Sequence, residues 1–320
     1  MHWKNWLKLI GVVLLVWILS IVDWTLAIQA LFKLDPIYLL GYLGGFATMM
    51  LVRTLRLRIA LSKLGHSLSF RDCYVTILEP AFMGIVTPGR LGEFTRVGYI
   101  HAHGVSLQEA VSVVTVERLI DIGVLLVFGV GGMIYIFTPA PYQLSGGLIV
   151  ALGLLMLFGA IRDYEFLFRC LQKYLGWILR WEPSFVTRHR QALTTSFHGV
   201  MTRAAMPIFL LGLVCIALNF GQIFLLAKAF GFEADYLVMI FAYAAATLIS
   251  LLPISVGGLG TREATYIMIM AREGILKEQA LLFSLLDGFI FAVLMLLVLL
   301  IPIWAYRISP KYLRVGKGRR

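Results

Sequence analysis

Apolar positions in this chain do not recur at the spacing of one wet and one dry face; they run on without interruption. Leu7 to Leu31, Tyr38 to Leu61, Leu107 to Phe137, Leu144 to Ile161, Pro207 to Phe230 and Leu281 to Tyr306 are such runs. Each approaches or exceeds the roughly 20 mostly apolar residues that an α-helix needs to cross a hydrocarbon core. The pattern predicts about six full membrane spans. Two further apolar segments, Arg71 to Ile100 and Leu237 to Met270, are broken in the middle by Thr87-Pro88-Gly89-Arg90-Leu91-Gly92-Glu93 and by Pro253 through Gly257-Gly258-Leu259-Gly260-Thr261-Arg262-Glu263. Each is read as two short helical legs joined by a turn.

Composition agrees with a membrane chain and narrows its class. Of 320 residues, 60% are hydrophobic and 14% charged, and the mean hydropathy is +0.88; soluble domains are about a quarter charged. The first run outlasts the apolar part of a signal peptide and lacks a small-residue cleavage site, so it is expected to stay as a helix. Cys73, Cys170 and Cys215 are widely spaced without clustered histidine, which points to buried thiols rather than disulfides or a metal site. No metal and no cofactor is expected.

The net charge of +11 gathers in Arg53 to Arg71, Arg162 to Arg203 and the tail 307–320. Positive loops stay on the cytoplasmic side, so both termini are placed there, in a plasma membrane of the bacterial inner-membrane type. Anionic lipid headgroups are a sufficient partner for the basic surface, and nucleic acid is not indicated. A linker over 162–205 alternates Phe166, Leu171, Leu175 and Leu179 with Arg169, Lys173 and Arg180, which suits an amphipathic helix at the interface as well as a solvated connector.

Threading the runs with this orientation makes both broken segments re-entrant hairpins, the first from the cytoplasmic face and the second from the opposite face. Half one (approximately 37–138) and half two (approximately 206–306) then read alike: helix, broken hairpin, helix carrying an acid, Asp121 or Asp287. The expected fold is all-α, one transporter domain over 1–320, built as an inverted repeat.

Backbone without partners in hydrocarbon costs several kcal/mol per group, so these breaks must be sheltered by protein or line a wet cavity. Gly89, Gly92, Gly258 and Gly260 suit tight turns and close approach; Thr87 and Thr261 suit the caps of the return legs. Arg90, Arg96 and Arg262 add guanidinium groups beside helix starts, an arrangement fitted to phosphate oxygens. A charge-neutralising role is the competing reading, with Glu93 and Glu263 as partners of the arginines. Glu117, Arg118 and Asp121 share a helix face, with Arg118 placed to pair with Asp121. These acids, with Asp287 and Glu79, are read as counter-ions for the arginines or as a proton relay. Asp23, Asn219 and Gln222 are expected to bond between helices.

Pro88-Gly89-Arg90-Leu91-Gly92-Glu93 with Arg96, then Glu117-Arg118, then Pro253 through Glu263 resemble the signatures of the lysylphosphatidylglycerol synthase transmembrane-region family over nearly the whole chain. The resemblance implies a flippase-like domain that moves a lipid between leaflets. In fused members a separate soluble domain performs aminoacyl transfer; the chain ends at the basic tail, so that activity is not carried over, and the chain is not expected to be an enzyme.

The leading expectation is a flippase for an anionic phospholipid or polyprenyl-phosphate lipid, holding the phosphate in one central cavity between the hairpins. A membrane-embedded transferase using Glu93 or Glu117 as general base, or a small-anion permease, are the alternatives. The lipid, the coupling ion and association with a second copy stay open at this level.

Overall fold

The computed structural model describes residues 17, 19–87, 91–137, 144–162, 183–252, 255 and 258–306. Among them are eleven α-helices: α1 Trp24–Phe32, α2 Pro36–Lys63, α3 Phe70–Val86, α4 Arg96–Ala102, α5 Leu107–Phe137, α6 Leu144–Arg162, α7 Pro183–Arg203, α8 Ala205–Ala229, α9 Tyr236–Ser250, α10 Thr261–Met270 and α11 Lys277–Tyr306. Tight 3-10 turns, Leu91–Thr95 and Ala271–Glu273, precede α4 and follow α10. The protein is all-helical.

Pro36–Lys63, Leu107–Ile136 and Ala205–Ala229 are each long and apolar enough to cross a bilayer, and Gly146–Ile161 and Tyr236–Ser250 are shorter apolar helices. On α6, Leu148, Leu152, Leu155 and Met156 are exposed along one stripe; such an apolar outer face is stable against lipid tails rather than water. This is a multi-pass membrane protein.

Helix starts follow local chemistry. Asp35 accepts the Ile37 N–H (2.8 Å) ahead of Pro36 at the first helical position, and Asp235 caps α9 in the same way at Leu237 (2.9 Å). α2 and α8 both end just before a left-handed glycine, Gly65 (φ 91°) and Gly231 (φ 70°), where a side chain would be strained.

Small residues let the long helices pack closely. α2 lies against α8 with Gly41 facing Leu225, Gly45 facing Gln222 and Arg56 facing Gly212, so the two run antiparallel. α5 packs antiparallel on α6 through Gly123, Gly131 and Gly146, and on α9 through Gly129 and Gly132. With no hydrophobic drive between helices in lipid, this close contact supplies the association.

Polar contacts mark the two ends of the bundle. At one end His66 meets Glu109 (3.2 Å), and the start of α3 meets the end of α4 through Asp72 and His103 (3.8 Å). At the other, the Asp35 N–H reaches the Ala229 carbonyl (2.9 Å), and the Asp235 N–H at the start of α9 reaches Glu273 beyond α10 (2.9 Å). Arg272 also binds the Ile136 carbonyl at the end of α5 (3.0 Å). Each broken segment therefore starts and finishes at one end, and the two segments use different ends.

Several expectations change. The first span is not one helix: Asp23 accepts the Thr25 and Leu26 N–H groups (2.9 and 3.3 Å) and starts α1 afresh, so it caps rather than bridges helices. The first return leg opens with the 3-10 turn and reaches α-geometry only at Arg96. Asn219 donates within α8, to the Cys215 carbonyl, while Gln222 donates both within α8, to Leu218, and across to the Met49 Sδ on α2. Cys73 and Cys215 are buried free thiols. Residues 1–16, Pro88, Gly89, Arg90, Gly257, the amphipathic stretch 166–180 and the tail 307–320 lie outside the described residues.

Candidate functional site

The first polar network surrounds the first break. α2 supplies Arg53 and Arg56, the 3-10 turn supplies Glu93, α4 supplies Arg96, and α5 supplies Glu117, Arg118 and Asp121. Arg56 grips Asp121 with both ends of its fork (2.7 and 3.0 Å) and has its Nε 3.5 Å from Glu117. Arg96 binds the other Glu117 oxygen, and Arg118 binds Glu93. Arg56 and Glu117 are only 4% and 1% exposed, so each carries a heavy desolvation cost, offset for Arg56 by its fork on Asp121 and for Glu117 by Arg96. Arg118 thus pairs with Glu93 rather than Asp121: the turn brings Glu93 to it, while Asp121, one turn further along α5, meets α2.

These side chains enclose a cavity of about 20 Å3, lined by Arg53, Arg56, Arg96, Arg118, Glu93 and Asp121 with Ile77, Pro80 and Ala81. That is room for about one water molecule. Pro80 lies inside α3 and has no N–H, so the Thr76 carbonyl loses its helical partner beside the cavity. The buried Thr76 hydroxyl also lacks a hydrogen-bond partner, as do the buried Nε groups of Arg53 and Arg96, while the Arg56 Nε is left with only Glu117 at 3.5 Å. Unmet donors in a buried site call for an acceptor.

Glycine fixes the shape of this break. A Cβ on Gly92 would stand 2.2 Å from the Met83 carbonyl oxygen. Thr87 closes the turn by donating to Met83 (2.9 Å) and accepting the Gly92 N–H (2.7 Å), so its hydroxyl ties the two legs together rather than capping a helix from the position just before it. Glu79 hydrogen-bonds Tyr99, joining the legs lower down.

The second network surrounds the second break. Arg262 donates to the Ser284 carbonyl (2.5 Å) and stands 3.4 Å from Asp287; Asp287 also accepts the Tyr42 hydroxyl from α2 (2.9 Å). Glu263 accepts the Gly260 N–H (2.6 Å) and the Ser284 hydroxyl (3.3 Å). Gly260, at φ 81°, is itself the cap of α10. Thr261 is the first helical residue and bonds back to the Gly258 carbonyl (3.0 Å). Glu263 holds the turn and Asp287 holds the arginine, a division of labour that the spacing alone did not give.

The helix landmarks set the register between the halves. The same interval separates Gly65 from Gly231, Phe70 from Tyr236, and Thr95-Arg96 from Thr261-Arg262. Beyond that the second half is about one helical turn longer, so Gly104 matches Gly274 and Leu107 matches Lys277. At that spacing Glu117, rather than Asp121, falls level with Asp287. Arg96–Glu117 and Arg262–Asp287 each tie a return leg to the long helix after it.

The two networks lie at different levels of α2: Tyr42 and Arg56 sit fourteen positions apart, roughly 20 Å along its axis, and the described lining of the arginine cavity includes Arg96 but not Arg262. The tips of both breaks, where the expected central cavity would lie, fall outside the described residues. Arg53 and Arg56 were not singled out in the sequence because they look like the positive end of a span; their place in the cavity lining brings them to the break. Among the described residues no group of His, Cys, Asp and Glu has the form of a metal site.

Comparison with known families places this geometry in context. The sequence profile described as "Lysylphosphatidylglycerol synthase TM region" matches residues 5–302. No curated protein matches the chain.

Proposed function

Because this chain belongs to the lysylphosphatidylglycerol synthase TM-region family, a membrane domain associated with lipid modification, we propose that it carries a phosphate-bearing lipid between leaflets. The observation that carries the reading is the cavity walled by four guanidinium groups inside a helical membrane protein. Ionisable groups at such depth cost at least about 2.5 kcal/mol each on insertion scales and mark pathways. Four are far more than fold stability requires.

In this reading α3–α4 and α9–α10 are re-entrant hairpins entering from opposite faces, and the halves form an inverted repeat. Support comes from the antiparallel course of α2 and α8, which are equivalent in the two halves, and from the closure of each hairpin at its own end. The basic clusters put the α2 C-terminal end, and both chain termini, in the cytoplasm. A headgroup phosphate is held first at one arginine station and then at the other, while its chains stay in lipid. The internal carboxylates hold the arginines between visits: Glu93 and Glu117 at the first station, Asp287 at the second. A transferase would need a carboxylate at liberty to take a proton, and Glu93 and Glu117 are engaged by Arg118 and Arg96, which favours binding over chemistry.

The test is reconstitution. Vesicles holding the protein and a labelled anionic phospholipid or polyprenyl-phosphate lipid are expected to expose the label to an external quencher faster than empty vesicles. Arg96→Gln and Arg262→Gln should return the rate to the empty-vesicle level. Failure to move any such lipid, or variants equal to wild type, refutes the proposal.

A further inference from the structure

Of the arginines around the first cavity, three are committed to carboxylates. Arg56 is held by Asp121 and Glu117, Arg96 by Glu117, and Arg118 by Glu93. Arg53 has no carboxylate within ion-pair distance among the described residues, yet it lines the cavity and its Nε is buried without a hydrogen-bond partner. A guanidinium cannot shed its charge by deprotonation as a lysine can, so an unmatched one inside a membrane protein is a standing demand for an anion.

Its direction is fixed by the helix. At about 100° per residue, Arg53 lies roughly 160–200° around α2 from Leu51 and Leu55, the exposed apolar residues that face lipid. The open part of Arg53 therefore belongs to the cavity side. Arg53 is also one turn closer than Arg56 to Tyr42, and so to the second station.

We propose that Arg53 is the residue of the first station that takes the oxyanion of a phosphate group, with the unfilled Nε donor of Arg96 beside it. The binding leaves the existing pairs intact: Arg56, Arg96 and Arg118 keep their carboxylates, and the phosphate neutralises Arg53, which shares Asp121 only at longer range and forms no ion pair among the described residues. This rests on the lipid-transport reading for the source of the phosphate, since free phosphate offers the same oxygens. The cavity as it stands holds about one water, so the headgroup enters when the first return leg, carrying Glu93 and Arg96, moves off α5.

Two measurements on the full chain test this. Thermal stabilisation of the detergent-solubilised protein is titrated with short-chain phosphatidylglycerol and, separately, with inorganic phosphate against chloride at equal ionic strength. Transport of labelled phosphatidylglycerol is followed in vesicles. Wild type is expected to be stabilised by the lipid, with Arg53→Gln weakening apparent binding about tenfold or more, and Arg53→Lys falling between because an ammonium keeps the charge but loses the two-pronged fork. Should Arg53→Gln not fold, Arg53→Lys carries the same comparison. Unchanged lipid and phosphate binding in the folded variants overturns the role of Arg53, whatever the transport assay gives. Arg53-dependent binding in a protein that moves no lipid keeps the oxyanion site and removes the transport reading. Stabilisation by inorganic phosphate alone, lost in Arg53→Gln, assigns the site to free phosphate.

Discussion

At the residue scale, Arg56, Arg96 and Arg118 are each matched to a carboxylate. Removing one partner of a buried pair leaves the other unpaired and costs about 3–5 kcal/mol, whereas replacing both with apolar side chains is often close to neutral. Asp121→Ala should therefore lower the unfolding midpoint in detergent far more than the double replacement Arg56→Met with Asp121→Leu; a double variant less stable than the single would contradict the pairing. Gly92→Ala places a methyl against the rigid Met83 carbonyl, and we expect a loss of about 3 kcal/mol or more in the same assay. Gly288→Ala is different in kind. Its methyl would stand 2.5 Å from the tip of Arg262, which can swing aside, so the fold should survive while transport falls. Residue types were legible from the sequence: arginine, glutamate and glycine at two breaks in apolar segments. Partners were not. Arg118 was read with Asp121 because they share a helix face, but pairing across helices depends on which turn of α2 and which leg of the break come near.

At the element scale, the long helices announce themselves and the broken ones need topology. α2, α5 and α8 were visible because length and hydropathy alone set a span. The proposed hairpins rest on charge parity, and the first return leg differs from expectation because Leu91–Thr95 tightens into a 3-10 turn that carries Glu93 toward α5. In the proposed repeat the helix landmarks pair Asp287 with Glu117 rather than Asp121, because the interval between matching landmarks is about one helical turn longer beyond the breaks. Cysteines placed singly at Gly104 and Gly274, both exposed, should react with an impermeant thiol reagent from opposite faces of sealed vesicles. Labelling of both from one face would remove the inverted arrangement.

At the scale of the whole molecule, the proposed transport would use two stations about 20 Å apart along α2 to divide the crossing of a hydrocarbon core of about 30 Å into shorter steps. In that proposal each station is closed by the pair that ties a return leg to the next long helix, Arg96–Glu117 or Arg262–Asp287. A lipid can shift the molecule toward an open form only by binding that form more tightly, and the unmatched charge of Arg53 supplies such a difference. The central claim is that the first return leg must part from α5 for a headgroup to enter. The direct measurement is transport of labelled phosphatidylglycerol by a protein with cysteines at Glu93 and Arg118, which are in contact, before and after joining them with a short thiol cross-linker of the cleavable kind. Cross-linking should bring lipid movement to the empty-vesicle rate and cleavage should restore it; movement that continues unchanged with the two positions joined contradicts the account.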